Sequence, residues 1–490
     1  MISHTGSTYP VSLCCKHFWL GAQSAYLARP APSKLHPTSG AMDLLGVDDD
    51  WNMARKSKTT AKCLANVMGP SSSGHTSVNT VSMKRPAAFT TCSGGPQPEK
   101  KKNKKKSQQP GCNDGPKKKR QDMQQGTFPT PMKAVAPSNE VDVNVGTDFS
   151  GMDAPLLALS RTGYTYRHVF SSETNASCIK LSRIISPHCE LRHRSIDDRR
   201  QDETPSVDVY VAGIPCQVWA SGGKQEGLDD KDGKGKLWFS SLNYIAKGQP
   251  KAAVLECAPT IETQQKFKPM KEYIIKALET AGYDVHHTLV RTEENGVPQA
   301  RVRFYVVAIK QSSRRRQFSW PLPLGKCVPL DKIITGQKAQ TLAKMLPTND
   351  AEKAHVLKAL RSAAEAGVDL SKSRIIVDIG CSSDFAQYMV NRFPTITAAR
   401  SRNLAWWVAD IGRRVKLEEI MLLQGFNPKD IPYVAAQVSE QRVAHMVGNA
   451  MSCCVLERLL PKVLHTIGIS PTNRPESNDR WSELVDKFNR

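Results

Sequence analysis

Between residues 141 and 310, short β-branched runs alternate with stretches whose apolar residues keep helical spacing, and few folds accept that pattern. Residues 141–149, 168–171, 209–214, 251–256 and 302–309 read as strands. The run 209–214 (VYVAGI) is too uniformly apolar to have a wet face, which is the mark of a strand buried on both sides. Residues 154–162 read as a helix through Leu156, Leu157 and Leu159, with Gly163 as its cap. Phe267, Met270, Ile274, Ala277, Leu278 and Ala281 repeat at helical spacing and stop at Gly282. The expected fold class is α/β, a doubly wound, Rossmann-like domain over residues 141–310.

At 490 residues the chain has room for two or three domains. Its formal charge is +22, and residues 1–140 hold 20 Lys and Arg against 8 Asp and Glu. A basic excess in both parts suits a polyanionic partner. Residues 1–140 are rich in Ser, Thr, Pro, Gly, Gln and Lys and too poor in large aliphatic residues to repay ordering, so a disordered basic tail is expected. Lys84-Arg85-Pro86, residues 100–106 and Pro116-Lys117-Lys118-Lys119-Arg120 read as signals for the nuclear import machinery, against a nucleic-acid-binding arm or a solubilising tail. Nuclear localisation follows as an expectation. Thirteen cysteines form no CxxC pair and no Cys/His ligand spacing, so no metal is expected and the thiols suit a reducing compartment. No apolar run reaches eighteen residues, so no membrane contact is expected.

Beyond residue 310 the pattern loosens. Residues 311–431 carry Arg314-Arg315-Arg316, scattered short strands and a helix-like stretch at 351–366, and read as a second, smaller, basic domain. Helical order resumes at 417–425. One apolar helix is expected over 447–460, within a segment 432–468 that returns to the first domain, and residues 469–490 read as a frayed polar tail.

The chemistry centres on residues 208–239. Pro215 ends the strand, so Cys216 sits at its carboxyl-end lip, where open α/β sheets bind ligands. A Gly-rich charged loop follows, long enough to close as a lid. That position and the Pro-Cys-Gln setting favour a nucleophile over a buried structural thiol, and this stretch alone leaves both open. Glu256 closes the next strand and faces the same lip. Gln299, Arg301 and Arg303 alternate and share one face of an extended segment, either a clamp for an anion or base or a solvated edge. The turn Asp148-Phe149-Ser150-Gly151 between a strand and a helix has the general form of a nucleotide-cofactor site, and Glu173, past the second strand, is either a ligand for ribose hydroxyls or an ordinary surface residue.

Together these pieces resemble the DNA (cytosine-5) methyltransferase family over residues 141–465. Phe149 with Gly151 is similar to that family's cofactor turn. Pro215-Cys216-Gln217, the following SGGKQEGLDD and Gly235-Lys236-Leu237 resemble its catalytic loop. Glu256 stands where its Glu-Asn-Val acid belongs, and residues 296–303 (GVPQARVR) resemble its GVPQxRxR segment. Pro394-Thr395-Ile396-Thr397, residues 419–426 (EIMLLQGF) and Gly448-Asn449-Ala450 resemble its later blocks. The resemblance implies S-adenosyl-L-methionine as cofactor and double-stranded DNA as partner. It further implies a cytosine flipped out of the duplex, attacked at carbon 6 by Cys216 and methylated at carbon 5. Glu256 would serve ring nitrogen 3, while Arg301 and Arg303 would steady the flipped nucleotide. Phe149, Ser150, Gly151, Glu173, Asp197, Asp198, Asn449 and Ala450 would hold the cofactor. Gln217, Ser221 and Gln299 would bind the substrate, and 311–431 would be the target-recognition region.

The chain departs from the pattern twice. Cys257 replaces the Asn after Glu256, and Asp153 and Ala154 replace glycines of the cofactor turn, where a carboxylate either crowds the cofactor or faces away. Two rival readings follow. One is a tRNA cytosine-5 methyltransferase, with RNA as the substrate; the other is an inactive DNA-binding protein of the same fold.

Overall fold

A computed structural model describes residues 142–381, 387–471 and 479–490; the basic clusters of residues 1–140, with the tail and import expectations they carry, lie outside the described residues. The first domain is built on seven strands: β1 (Val143–Asp148), β2 (Tyr166–Ser172), β3 (Leu191–His193), β4 (Val209–Gly213), β5 (Ala252–Cys257), β6 (Tyr283–Arg291) and β7 (Val302–Lys310). Their order in the sheet is β3-β2-β1-β4-β5-β7-β6. The first five are mutually parallel, and β7 runs antiparallel to both β5 and β6. The sequence pattern did not reveal β6, because this half-buried edge strand carries Asp284, His286 and His287 and lacks an apolar run. The chain leaves β1 toward β2 and β3 on one side, while β4 and β5 lie on the other. The order therefore reverses between β1 and β4, and a crevice opens outside their carboxyl ends.

Helices α1 (Ala154–Arg161), α2 (Ala176–Ile185), α3 (Leu237–Gly248) and α4 (Lys268–Thr280) connect these strands. The smaller layer combines α5 (Asp350–Glu365) with strands β8 (Ile375–Asp378), β9 (Tyr388–Val390), β10 (Trp406–Val408) and β11 (Arg413–Arg414), in the order β9-β8-β10-β11. Alternation along its strands divides their side chains between two cores. Ile375, Val377 and Trp407 pack with Val356, Ala359 and Leu360, whereas Ile376, Trp406 and Val408 join the main core. Residues 393–397 then leave this layer: Phe393–Pro394 pairs in parallel with Gln299–Ala300 beside the catalytic sheet.

The chain returns through α6 (Leu417–Leu423), α7 (Glu440–Asn449) and α8 (Cys453–Thr466). The single helix expected over 447–460 is thus two helices, broken at residues 450–452. The break is held from outside: the Ala450 carbonyl accepts Arg301 and Gln424, and the Ser452 and Thr292 hydroxyls are bonded at 2.9 Å. Helix α8 packs on α1, where buried Arg161 donates to Glu457 and to the Gly425 carbonyl, both at 2.9 Å. The tail expected to fray from 469 instead contains α9 (Arg480–Asn489). Asp479 caps it, Trp481 is 2% exposed, and the Trp481 indole donates to Glu457 at 3.0 Å. Among the described residues no helix is long and apolar enough to cross a membrane, and no group of His, Cys, Asp and Glu could hold a metal ion.

Candidate active site

The crevice has two walls. One begins at the carboxyl end of β1, where Phe149, Gly151 and Asp153 all adopt positive φ (53°, 57° and 57°) and wind the chain tightly into α1. Glu173, just past β2, accepts Gly151 N–H at 2.8 Å and Asn175 N–H at 2.7 Å, so its carboxylate is oriented and keeps lone pairs for further donors. The buried Ser150 hydroxyl points inward to the Thr147 and Ser172 carbonyls, so Ser150 fixes the turn from behind. Sequence reasoning missed the anchor beneath. Asp148, fully buried, takes Arg199 through both oxygens (2.6 and 2.7 Å) and the Tyr210 hydroxyl at 2.7 Å. The Arg199 guanidinium also lies 4.5 Å above the Phe170 ring. An Asp closing a parallel strand was the available signal. Arg199 thereby ties Asp197 and Asp198 to the turn; both are exposed, and Asp197 accepts the Ser240 hydroxyl of α3 at 2.7 Å.

Asp153 faces away from the crevice. It is wholly buried and leans toward Ser182 of α2, yet neither carboxylate oxygen has a well-formed hydrogen bond. Burial pushes its pKa up to about 7, only partly offset by Ser182 and Arg192.

The other wall is the lip formed by β4, β5 and β7. Cys216, half-buried, follows the strand end, and its thiol turns back to the Ile214 carbonyl at 3.5 Å. Its own carbonyl accepts the N–H groups of Trp219 and Ala220, so the chain coils directly beyond it. Gln217 and Ser221 are exposed in this loop, free to meet a ligand. Glu256 pairs with Gly213 of β4 and Tyr305 of β7, which sets its carboxyl in the floor of the lip, 3% exposed. Arg303 Nε lies 3.2 Å and Arg301 3.8 Å from Glu256 Oε1, but neither contact has hydrogen-bond geometry, and this oxygen has no hydrogen-bond partner. Burial raises the Glu256 pKa against the pull of both arginines.

The two remaining members of the GVPQARVR face have structural duties. Arg301 is buried and donates to the carbonyls of Ile396, Gly448 and Ala450 (3.0, 3.4 and 2.8 Å), joining two returning segments behind Glu256. Burial and Arg303 depress its pKa to about 10. Gln299, expected to bind substrate, is fully buried. Its amide donates to the Leu423 carbonyl and to Gln424 and accepts Ile396 N–H, so it joins α6 to the sheet and does not reach the crevice. Asn449 is exposed and Ala450 nearly buried, beside Met451, which packs against Gly213 at the end of β4. Gly448 lets this segment approach: a Cβ there would lie 2.5 Å from the Ala398 nitrogen.

The structure thus gathers Cys216, Glu256, Arg301 and Arg303 on one wall, Phe149, Ser150, Gly151 and Glu173 on the other, and leaves Gln299 behind them. The family model for C-5 cytosine-specific DNA methylases matches residues 147–465, well over half of the chain. Among curated proteins, the type II methyltransferase M1.ScrFI of Lactococcus lactis subsp. cremoris is 33% identical over 191 residues, 38% of this chain and 47% of that protein. M.NgoBI of Neisseria gonorrhoeae is 28% identical over 315 residues, 63% of this chain and 89% of that protein. M.HgiBI of Herpetosiphon aurantiacus matches over 38% of its own length, so the chain spans half or less of several of these relatives. The solved structure of the Entamoeba histolytica methyltransferase EhMeth aligns with a TM-score of 0.47 and 15% identity, over 66% of this chain and 98% of that one. By the extent of its match to the family model, the chain belongs to the C-5 cytosine-specific DNA methylase family.

Proposed function

We propose that this chain transfers a methyl group to carbon 5 of a cytosine flipped out of double-stranded DNA, through a covalent adduct on Cys216. The observation that carries the reading is the lip itself: a buried glutamic acid with an unpartnered oxygen and a raised pKa, beside a nucleophile's thiol at the neighbouring strand end. A buried carboxyl without a partner is costly unless a ligand supplies one.

S-adenosyl-L-methionine is the cofactor of this family and supplies the methyl group. The residues fit it: the positive-φ turn at 149–153 keeps backbone close to the crevice, and Glu173 is fixed with lone pairs to spare for ribose hydroxyls. Phe149 would stack on its adenine, Asp197 or Asp198 would meet the adenine amine, and Asn449 and Ala450 would close the end beside β4.

The Cys216 thiolate adds to carbon 6, and Glu256, whose pKa burial raises, gives a proton to ring nitrogen 3 so that no charge builds in the ring. Carbon 5 becomes nucleophilic and takes the methyl group. Loss of the carbon 5 proton to solvent then breaks the carbon 6–sulfur bond and expels the Cys216 thiolate, and the nitrogen 3 proton returns to Glu256. Arg303 holds Glu256 from the side, and Arg301 positions the floor through its three carbonyls. Gln217 and Ser221 would meet the DNA as the loop closes. The basic second layer would contact phosphates, which position without specifying sequence. Nuclear import through the clusters of residues 84–120 is part of this reading and rests on the sequence alone.

The test is methyl transfer from labelled S-adenosyl-L-methionine to duplex DNA and, separately, to purified tRNA, with the product nucleoside identified by mass spectrometry. 5-Methylcytosine in the DNA supports the reading. Label in tRNA alone, or in neither, overturns it.

A further inference from the structure

The residue that departs from the family's Glu-Asn-Val pattern lies against the nucleophile. Cys257 is the last residue of β5, directly after Glu256, and is wholly buried. Gly213 of β4 pairs with Glu256, and Ile214 N–H donates to the Glu256 carbonyl at 2.9 Å, so the two strand ends stay in register up to this point. The Cys216 thiol folds back to the Ile214 carbonyl at 3.5 Å, and Ile214 is bonded to the end of β5, so the thiol stands at the strand end that carries Cys257. All eight described cysteines are free thiols, and this pair joins the half-exposed nucleophile to a buried neighbour.

We propose that Cys216 and Cys257 form a reversible disulfide when the protein meets a peroxide, switching the nucleophile off and shielding it from permanent damage. The half-buried Cys216 sulfur at the lip attacks one peroxide oxygen and breaks the O–O bond, giving a sulfenic acid and one water. The Cys257 sulfur attacks the sulfenic sulfur, the S–O bond breaks, and the hydroxide leaves with the Cys257 proton as a second water. The two thiols lose two electrons and the peroxide gains them. A dithiol reverses the change by thiol exchange. Burial, the Cys216 contact and Glu256 hold the Cys257 thiol well above its ordinary pKa, which keeps it inert until the sulfenic acid stands beside it. Neither an Asn nor an isolated catalytic cysteine provides this route. That the bond silences methyl transfer rests on the function proposed above; that the bond forms does not.

The test treats the full chain with hydrogen peroxide, blocks remaining thiols with N-ethylmaleimide under denaturing conditions, and maps the digest by mass spectrometry. The expected product is a peptide pair cross-linked between Cys216 and Cys257 that dithiothreitol separates. Methyl transfer should fall by about tenfold or more and return with the thiols. In Cys257→Ser the same dose should carry Cys216 to sulfinic acid, which dithiothreitol does not reverse. A wild-type digest with Cys216 in sulfinic form, or still alkylated, and no cross-link to Cys257 overturns the proposal. Cross-linking in a chain that methylates nothing before treatment upholds the thiol pair and counts against the enzymatic reading alone.

Discussion

At the cofactor turn the protein meets its own polar groups, whereas at the nucleophile's lip it leaves them waiting. Asp148 is bound by Arg199 and Tyr210, Ser150 by two carbonyls, and Glu173 by two backbone N–H groups. Across the crevice, Glu256 Oε1 and Arg303 Nε are buried without hydrogen bonds although they lie 3.2 Å apart. The first wall is held by the protein's own hydrogen bonds before any ligand arrives. The second is complete only when something lies against it, and each unmet group costs about 1–3 kcal/mol until then. Asp153 breaks the rule on the first wall, as a buried carboxyl with no well-formed hydrogen bond.

Substitutions should separate the two walls. Cys216→Ala is expected to lower methyl transfer by about a thousandfold or more while leaving calorimetric affinity for S-adenosyl-L-methionine within about twofold. A parallel loss of cofactor affinity would mean that the walls are one unit. Glu256→Gln should reduce kcat by about a hundredfold to ten-thousandfold, with a smaller effect on KM. Because the raised Glu256 pKa keeps the acid form to higher pH, wild-type kcat should include a fall as Glu256 deprotonates with rising pH. Absence of that fall in Glu256→Gln identifies the proton donor, and an unchanged profile would assign the role elsewhere.

Arg199→Ala strands the Asp148 carboxylate and should destabilise the fold by about 3–5 kcal/mol in denaturant titration, with weaker cofactor binding. A loss under about 1 kcal/mol would show that the turn does not depend on this pair. The smallest effect and the most diagnostic sign belong to Asp153→Gly, which should stabilise by about 1 kcal/mol through relief of the positive φ alone. Asp153 titrates near 7 when folded against an ordinary 3.8, so its proton stabilises the fold at low pH. That contribution is lost as pH rises from about 4 to about 7. The gain in Tm of Asp153→Gly over wild type should therefore widen between pH 5 and pH 8, and a constant gap would contradict the burial argument.

Much of this was legible because the relevant residues sit at ends of apolar runs. Pro215 follows the end of β4 and places Cys216, and Glu256 stands next to the last residue of an uninterrupted strand. What the sequence hid was duty and contact. Gln299 and Arg301 share a face with Arg303 along the chain, but residues 393–397 and 423–424 cover the first two, and no local pattern records such long-range cover. The break at 450–452 is set by Arg301 and Gln424 from outside the helix, so helical spacing across it misled. Strand β6 hid behind its polar edge residues and α9 behind a short polar tail held by Trp481. Cys257 was visible as an oddity, and its meaning came only from the strand end it shares with the Cys216 thiol.

The most direct test of the covalent mechanism is to incubate the chain with S-adenosyl-L-methionine and duplex DNA carrying 5-fluorocytosine, beside Cys216→Ser. Fluorine cannot leave carbon 5 as a proton does, so a working Cys216 stays bound to the DNA. A denaturation-resistant adduct that maps to Cys216 and is lost in the serine variant is the predicted result. No adduct on DNA of mixed sequence, with cofactor binding intact, would contradict the account.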